Sequence, residues 1–165
     1  MIAAVDVQYT ADRGLAACVV FPAWDADWPA AEYLHRIEHV APYEPGRFAD
    51  RELPGLLAVL KTVVEPVELV VVDGYVFLDA AGRPGLGAHL HTALGVPVIG
   101  VAKTSFQGSP HAVLVNRGQS ARPLFVTAVG VDAEVAAARI RGMHGPHRMP
   151  TLLTWVDQLA KRVRG

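Results

Sequence analysis

Leu69-Val70-Val71-Val72-Asp73-Gly74 is the stretch whose reading decides the fold. Four apolar residues, three of them β-branched and none alternating with a polar one, suit a strand covered on both faces. The glycine that follows leaves Asp73 at the strand's carboxyl end, the edge where sheets of this kind place their chemistry. A second run of the same character, Val96-Pro97-Val98-Ile99-Gly100-Val101, delivers Lys103 at its own end. Residues 85–94 between them read as a short helix carrying His89 and His91. Strand, helix and strand in that order point to parallel pairing.

Upstream, Ile2 to Tyr9 and Leu15 to Phe21 are apolar runs of strand length, separated by a polar turn over 10–14, which predicts a hairpin. Residues 32–40 alternate polar with apolar and predict a third, half-exposed strand, completing an antiparallel meander. Pro42-Tyr43-Glu44-Pro45-Gly46 can only be a bent loop. Leu53, Leu56, Leu57 and Leu60 recur at helical spacing across 49–63, with Pro54 tolerable if it lies in the first turn. Downstream, 111–115 and 124–129 form a β pair around Asn116-Arg117-Gly118. Asp132 caps a helix reaching about Arg141, with Glu134 in its first turn. Leu152, Trp155, Val156, Leu159 and Val163 give residues 151–164 an apolar face. The expected architecture is one domain over 1–165 of the α/β class, a mixed sheet flanked by helices.

The 165 residues hold 15 Lys and Arg against 16 Asp and Glu, a net charge of −1, which excludes a globally basic nucleic-acid binder. At 52% hydrophobic and 19% charged, the chain is not a disordered segment. Cys18 is alone, so neither an intramolecular disulfide nor a zinc ribbon is expected. No apolar run approaches the roughly 20 residues that cross a bilayer. Asp6 and the absence of a basic leader argue against a signal peptide. A soluble, cytoplasmic protein is the expectation.

Acids inside apolar strands are costly unless they meet a cation, so Asp6, between Val5 and Val7, and Asp73 both call for a reason. Either alone reads as a strand-end cap or an arginine partner. Together with Glu52, near the start of the first long helix, they supply hard oxygen ligands suited to Mg²⁺ or Mn²⁺. Lys103 is either a snorkelling surface lysine or a cation set beside those acids to hold a phosphate or the attacking water.

Four blocks, taken in order, resemble the endonuclease V family. Val5-Asp6-Val7-Gln8-Tyr9 looks like its first catalytic strand. Residues 42–54, PYEPGRFADRELP, are similar to its Pro-Tyr-x-Pro-Gly loop running into an Arg-Glu helix start. Val70-Val71-Val72-Asp73-Gly74 resembles the strand of the next metal-binding acid, and Pro97-Val98-Ile99-Gly100-Val101-Ala102-Lys103 the block that ends in a lysine. Fainter similarity runs through Arg122-Pro123-Leu124-Phe125-Val126 and through Arg148-Met149-Pro150 into the last helix.

The resemblance implies a ribonuclease-H-like fold and a metal-dependent endonuclease cutting near a deaminated base (inosine or deoxyinosine) in DNA or RNA, with a role in repair. It implies that Asp6, Glu52 and Asp73 bind Mg²⁺ or Mn²⁺ and that Lys103 is catalytic. Tyr43 would fill the gap left by a flipped base. Pro45, Gly46 and Gly74 would line the substrate site; His89 and His147, read on their own, are either phosphate or base contacts or ordinary surface residues. Three stretches depart from the pattern. Val76 replaces a pocket-lining glycine, Asp79 stands where a histidine is expected, and Thr127-Ala128-Val129-Gly130-Val131 replaces Ser-Pro-Gly-His. A bulkier, more acidic pocket mouth is the expected result. It keeps two alternatives open: a catalytically weakened nucleic-acid-binding relative, and a related nuclease acting on structured junctions.

Two further expectations are geometric. The carboxylates of Asp6, Glu52 and Asp73 should converge around one ion-sized gap, with Lys103 in the same cleft. His89-Leu90-His91 and His144-Gly145-Pro146-His147 lack the partners and spacing of a structural zinc site. Arg139, Arg141, Arg148, Lys161, Arg162 and Arg164 are either a solvated helix face or a track for a nucleic-acid backbone.

Overall fold

β1 (Ile2–Tyr9) and β2 (Gly14–Phe21) form the expected hairpin, in register from Ile2 opposite Phe21 to Tyr9 opposite Gly14. β3 (Ala31–Ile37) pairs antiparallel with β2 and ends three residues before the expected Val40. The computed structural model describes residues 1–40, 42, 44, 45, 48–106 and 110–165. α1 (Phe48–Lys61) starts one residue before the expected Ala49, and Pro54, its seventh residue, lies in the second turn and not the first. There Pro54 cannot donate to the carbonyl four residues back; the buried Leu56 and Val59 hold the helix on the sheet regardless.

β4 (Leu69–Asp73) and β5 (Val98–Ala102) are parallel to β1, with α2 (Leu86–Leu94) between them in sequence. β7 (Leu124–Val129) pairs antiparallel with β5, and β6 (Val113–Val115) antiparallel with β7, giving among the described residues a seven-stranded sheet in the order β3-β2-β1-β4-β5-β7-β6. α3 (Ala133–Arg141) is capped by the Asp132 carboxylate, which accepts from the amides of Glu134 and Val135. The last apolar face is α4 (Thr151–Ala160), and its tail tightens into a 3₁₀ turn over Lys161–Arg164.

The two faces of the sheet bury different helices. Val5, Val7, Val70 and Val72 pack with Leu56 and Val59 of α1 and Leu86 and Leu90 of α2. Ala4, Val71, Ile99 and Val101 pack with Ile140 of α3 and Leu152, Val156 and Leu159 of α4. Side chains alternate along a strand. Asp6, two residues after Ala4, and Asp73, two after Val71, therefore turn toward α3 and α4.

One close approach at the carboxyl edge demands a glycine. The chain leaving β4 passes directly over β5 at Gly100, where a Cβ would lie 2.5 Å from the Gly74 carbonyl. The buried Thr127 hydroxyl of β7 accepts the Val76 amide at 2.9 Å and pins that crossing. No helix among the described residues is long and apolar enough to cross a membrane.

Candidate active site

The parallel register pairs Val5 with Val72, so the next residue of each strand, Asp6 and Asp73, stands at the same level of the sheet. Both line a small cleft with Lys103, Asp157 of α4, and the apolar Val101, Met149, Leu153 and Val156. Asp6 is only 7% exposed. Burial, the neighbouring Asp73 and, less, Asp157 push its carboxyl up to about 7, against the pull of Gln8 and the Val7 backbone. Burial also raises Asp73, with Asp157 adding to it while Lys103 pulls the other way.

Glu52 arrives from the other side of the sheet. It belongs to α1, which packs on the face opposite Asp6 and Asp73, yet the charge of both acids reaches its carboxyl. Burial, then Asp6, then Asp73 raise its carboxyl to about 8, opposed by Arg51. Tyr9, at the end of the strand that carries Asp6, holds this part of α1. Its hydroxyl donates to the Arg51 carbonyl at 2.9 Å, and the Arg51 guanidinium sits 4.2 Å over its ring.

Sequence reasoning missed Asp157. Gln8 Nε2 donates to Asp6 Oδ2 at 3.3 Å and to Asp157 Oδ1 at 3.4 Å, and Lys161 Nζ pairs with Asp157 at 2.8 Å. The available signal was an acid one turn from the buried Leu153 and Ala160 of the last helix.

The predicted convergence is thus electrostatic more than steric. Among the described residues, no three acid, histidine or cysteine side chains already stand at metal-holding distance. The donor set nonetheless fits a divalent cation. Asp6, Asp73 and Asp157 share the cleft with Lys103, and Glu52 lies in their field. Burial together with the neighbouring acids raises Asp6 to about 7 and Glu52 to about 8, a set a bound cation would neutralise.

A larger hollow opens on the other side of Asp73 and Lys103. Gly74, Tyr75, Leu78, Arg83, Leu86, His89, Thr104 and Phe106 line it, so two of the predicted substrate residues, Gly74 and His89, lie there. Pro45 is an exposed turn residue outside that wall. Tyr43 and Gly46 lie outside the described residues.

Neither Val76 nor Asp79 lines this hollow. Val76 is fully buried and packs beneath Gly87. Its neighbour Tyr75 supplies the wall and donates its hydroxyl to the Thr104 carbonyl. Asp79 turns into its own loop, accepting from the amides of Ala81 and Arg83 and pairing with the Arg83 side chain at 3.5 Å. One histidine of each pair is held within the fold: His91 Nδ1 meets the Val96 carbonyl at 2.7 Å, and His144 Nδ1 meets the Thr151 hydroxyl at 2.9 Å.

A mixed seven-stranded sheet with acids at the carboxyl ends of adjoining central strands defines a ribonuclease-H-like protein. The Endonuclease V family model matches residues 1–154. Endonuclease V of Streptomyces avermitilis is 34% identical over 184 aligned residues, covering 98% of this chain and 79% of the relative. That of Streptomyces coelicolor is 43% identical over 108, covering 64% and 45%. The crystal structure of the Streptomyces avermitilis protein superposes with a TM-score of 0.76 at 28% identity, covering 99% of this chain and 80% of that one. Ciona intestinalis Endonuclease V, crystallised with a 23-mer DNA containing an inosine followed by a ribo-adenosine, shares the fold with a TM-score of 0.82 at 17% identity. That match covers 98% and 84%. The chain belongs to the Endonuclease V family. Membership indicates a nuclease and implies a divalent-metal cofactor in general terms.

Proposed function

We propose that residues 1–165 act as one endonuclease domain that hydrolyses a phosphodiester near a deaminated purine, inosine or deoxyinosine, in DNA or RNA, with Mg²⁺ as cofactor and Mn²⁺ as its substitute. The observation that carries this reading is the single cleft shared by Asp6, Asp73, Asp157 and Lys103, with Glu52 in the same electrostatic field.

Asp6, Glu52 and Asp73 would hold the cation. When bound, it supplies Lewis acidity toward the phosphate and lowers the pKa of a water. Lys103, cationic beside Asp73, stabilises charge growing on the non-bridging phosphate oxygens. Asp157, balanced by Lys161 and more open to solvent than Asp6, takes the proton of the attacking water. The water oxygen bonds to phosphorus as the P–O3′ bond breaks, and O3′ takes a proton from solvent. A 5′-phosphate and a 3′-hydroxyl result.

The hollow beside the cleft receives the extruded base against Tyr75, Phe106 and His89. Tyr43 fills the gap in the duplex, offsetting part of an extrusion cost of a few kcal/mol. A role in nucleic-acid repair follows from that substrate. The weakened-binder alternative, motivated by Val76, Asp79 and the shortened loops, differs in its outcome: Tyr43-dependent binding with no metal-dependent cleavage. A nicking assay on inosine-containing DNA and RNA, with Mg²⁺ or Mn²⁺ and with Asp73→Ala as control, tests the proposal. Branched substrates without inosine separate the junction-nuclease alternative.

A further inference from the structure

Two arginines that the catalytic reading does not use are gathered behind Lys103. Arg117, on the β6–β7 turn, is only 6% exposed. Its guanidinium donates to the carbonyls of Met143 at 2.6 Å, His147 at 2.8 Å, Gly145 at 3.0 Å, Arg148 at 3.3 Å and Arg141 at 3.5 Å. A buried charge is tolerated when it is saturated with hydrogen bonds, and the carboxyl end of α3 adds its partial negative charge. The turn is pressed hard against this loop: a Cβ at Gly118 would overlap the Pro146 carbonyl. The clamped segment ends in Arg148, whose guanidinium donates to the carbonyls of Pro123 at 2.8 Å, Arg122 at 3.0 Å and Lys103 itself. Neither arginine shows a carboxylate partner among these bonds. Every one goes to backbone, and the backbone reached at the far end carries the lysine of the cleft.

We propose that Arg117 and Arg148 are positioning residues: Arg148 fixes the backbone of Lys103 at the cleft, and Arg117 fixes Arg148 by clamping the loop over 143–148. Lys103 and Thr104 then form a two-point mount, the first carbonyl held by Arg148 and the second by the Tyr75 hydroxyl. With its backbone held, the lysine side chain has one approach to the phosphate. The same clamp sets the entry to α4 and so the level of Asp157. A planar fork is needed for such convergent carbonyls, so lysine does not replace either arginine.

This rests on Lys103 being catalytic, and the test separates the two ideas. Hydrogen exchange over residues 101–106 is measured in the full chain for wild type, Arg148→Lys, Arg148→Ala and Arg117→Lys, with Arg164→Ala as a charge-matched surface control. Exchange should rise in the first three variants and stay at the wild-type level over β1 and in the control. On an inosine-containing duplex, Arg148→Lys should lower kcat about tenfold or more with KM within about twofold, since small displacements of a reacting group cost that much. In a Lys103→Ala background the same change should add nothing. Unchanged exchange over 101–106 in Arg148→Lys overturns the proposal, as does an undiminished loss of kcat in the Lys103→Ala background. A wild type that cuts nothing refutes the function proposed above, while the exchange result still decides whether Arg148 mounts Lys103. Should Arg148→Ala fail to fold, the two lysine variants carry both readouts.

Discussion

Gln8 and Asp157, 149 residues apart in the chain, meet at 3.4 Å, and the same Gln8 amide reaches Asp6 at 3.3 Å. A neutral donor therefore sits between two acids and damps their repulsion. Gln8→Glu removes the donor and adds a like charge. Two such charges about 4 Å apart repel by about 4 kcal/mol at an effective dielectric of 20, and protonation relieves part of it. The metal-free variant should lose about 1–3 kcal/mol of stability at pH 8 and recover part of it near pH 4.5, where Asp6 is protonated. Urea unfolding at the two pH values measures this.

The raised carboxyls make metal-free stability pH-dependent with a definite sign. Asp6 and Glu52 titrate near 7 and near 8 when folded, above the ordinary 3.8 and 4.5 of the unfolded chain. Between those limits the folded state binds more protons, so stability falls as pH rises from about 4 toward 8. A divalent cation reverses the effect. The rise in melting temperature on adding Mg²⁺ or Mn²⁺ should be larger at pH 8 than at pH 5.5, and Asp6→Asn should flatten both trends. Differential scanning fluorimetry across that range reads it directly.

Tyr9→Phe keeps the ring beneath the Arg51 guanidinium and removes only the hydroxyl bond to the Arg51 carbonyl. The expected stability loss is about 1 kcal/mol. Because Glu52 is the next residue, cleavage should fall by more than stability accounts for. Comparing kcat with the unfolding midpoint separates the two.

Gly100→Ala would drive a Cβ to 2.5 Å from the Gly74 carbonyl and 2.9 Å from the Thr127 hydroxyl, neither of which can swing aside. A loss of about 3 kcal/mol is expected, at the upper end for overpacking. Thr127→Val, which orphans the buried Val76 amide, should cost about 1–3 kcal/mol. Chemical denaturation of both variants checks the crossing behind Asp73.

Most of the architecture was legible because burial and periodicity speak locally. The β-branched runs at 69–72 and 98–101 announced strands covered on both faces, and Asp132 announced its helix. Asp6 and Asp73 stood out as charges in apolar strands, and Lys103 through its place after a strand. Asp157 stayed hidden because one acid in an amphipathic helix looks like a solvated turn; only the packing of α4 across β1 brings it to Gln8. The place of Val76 was hidden for a related reason: which way a side chain points after a strand end depends on the crossing at Gly100, a tertiary fact.

The most direct test of the central claim is single-turnover cleavage of a duplex with one inosine in one strand, in Mg²⁺, by wild type and Asp73→Asn. Wild type should nick the inosine strand, leave a 3′-hydroxyl and a 5′-phosphate, and spare the same duplex without inosine. Asp73→Asn should be slower by about 100-fold or more, the scale expected when charge stabilisation in a closed site is lost, while still folding with a melting temperature at or above wild type at pH 8. Equal cleavage by the two proteins, or none by wild type in either Mg²⁺ or Mn²⁺, would contradict the account.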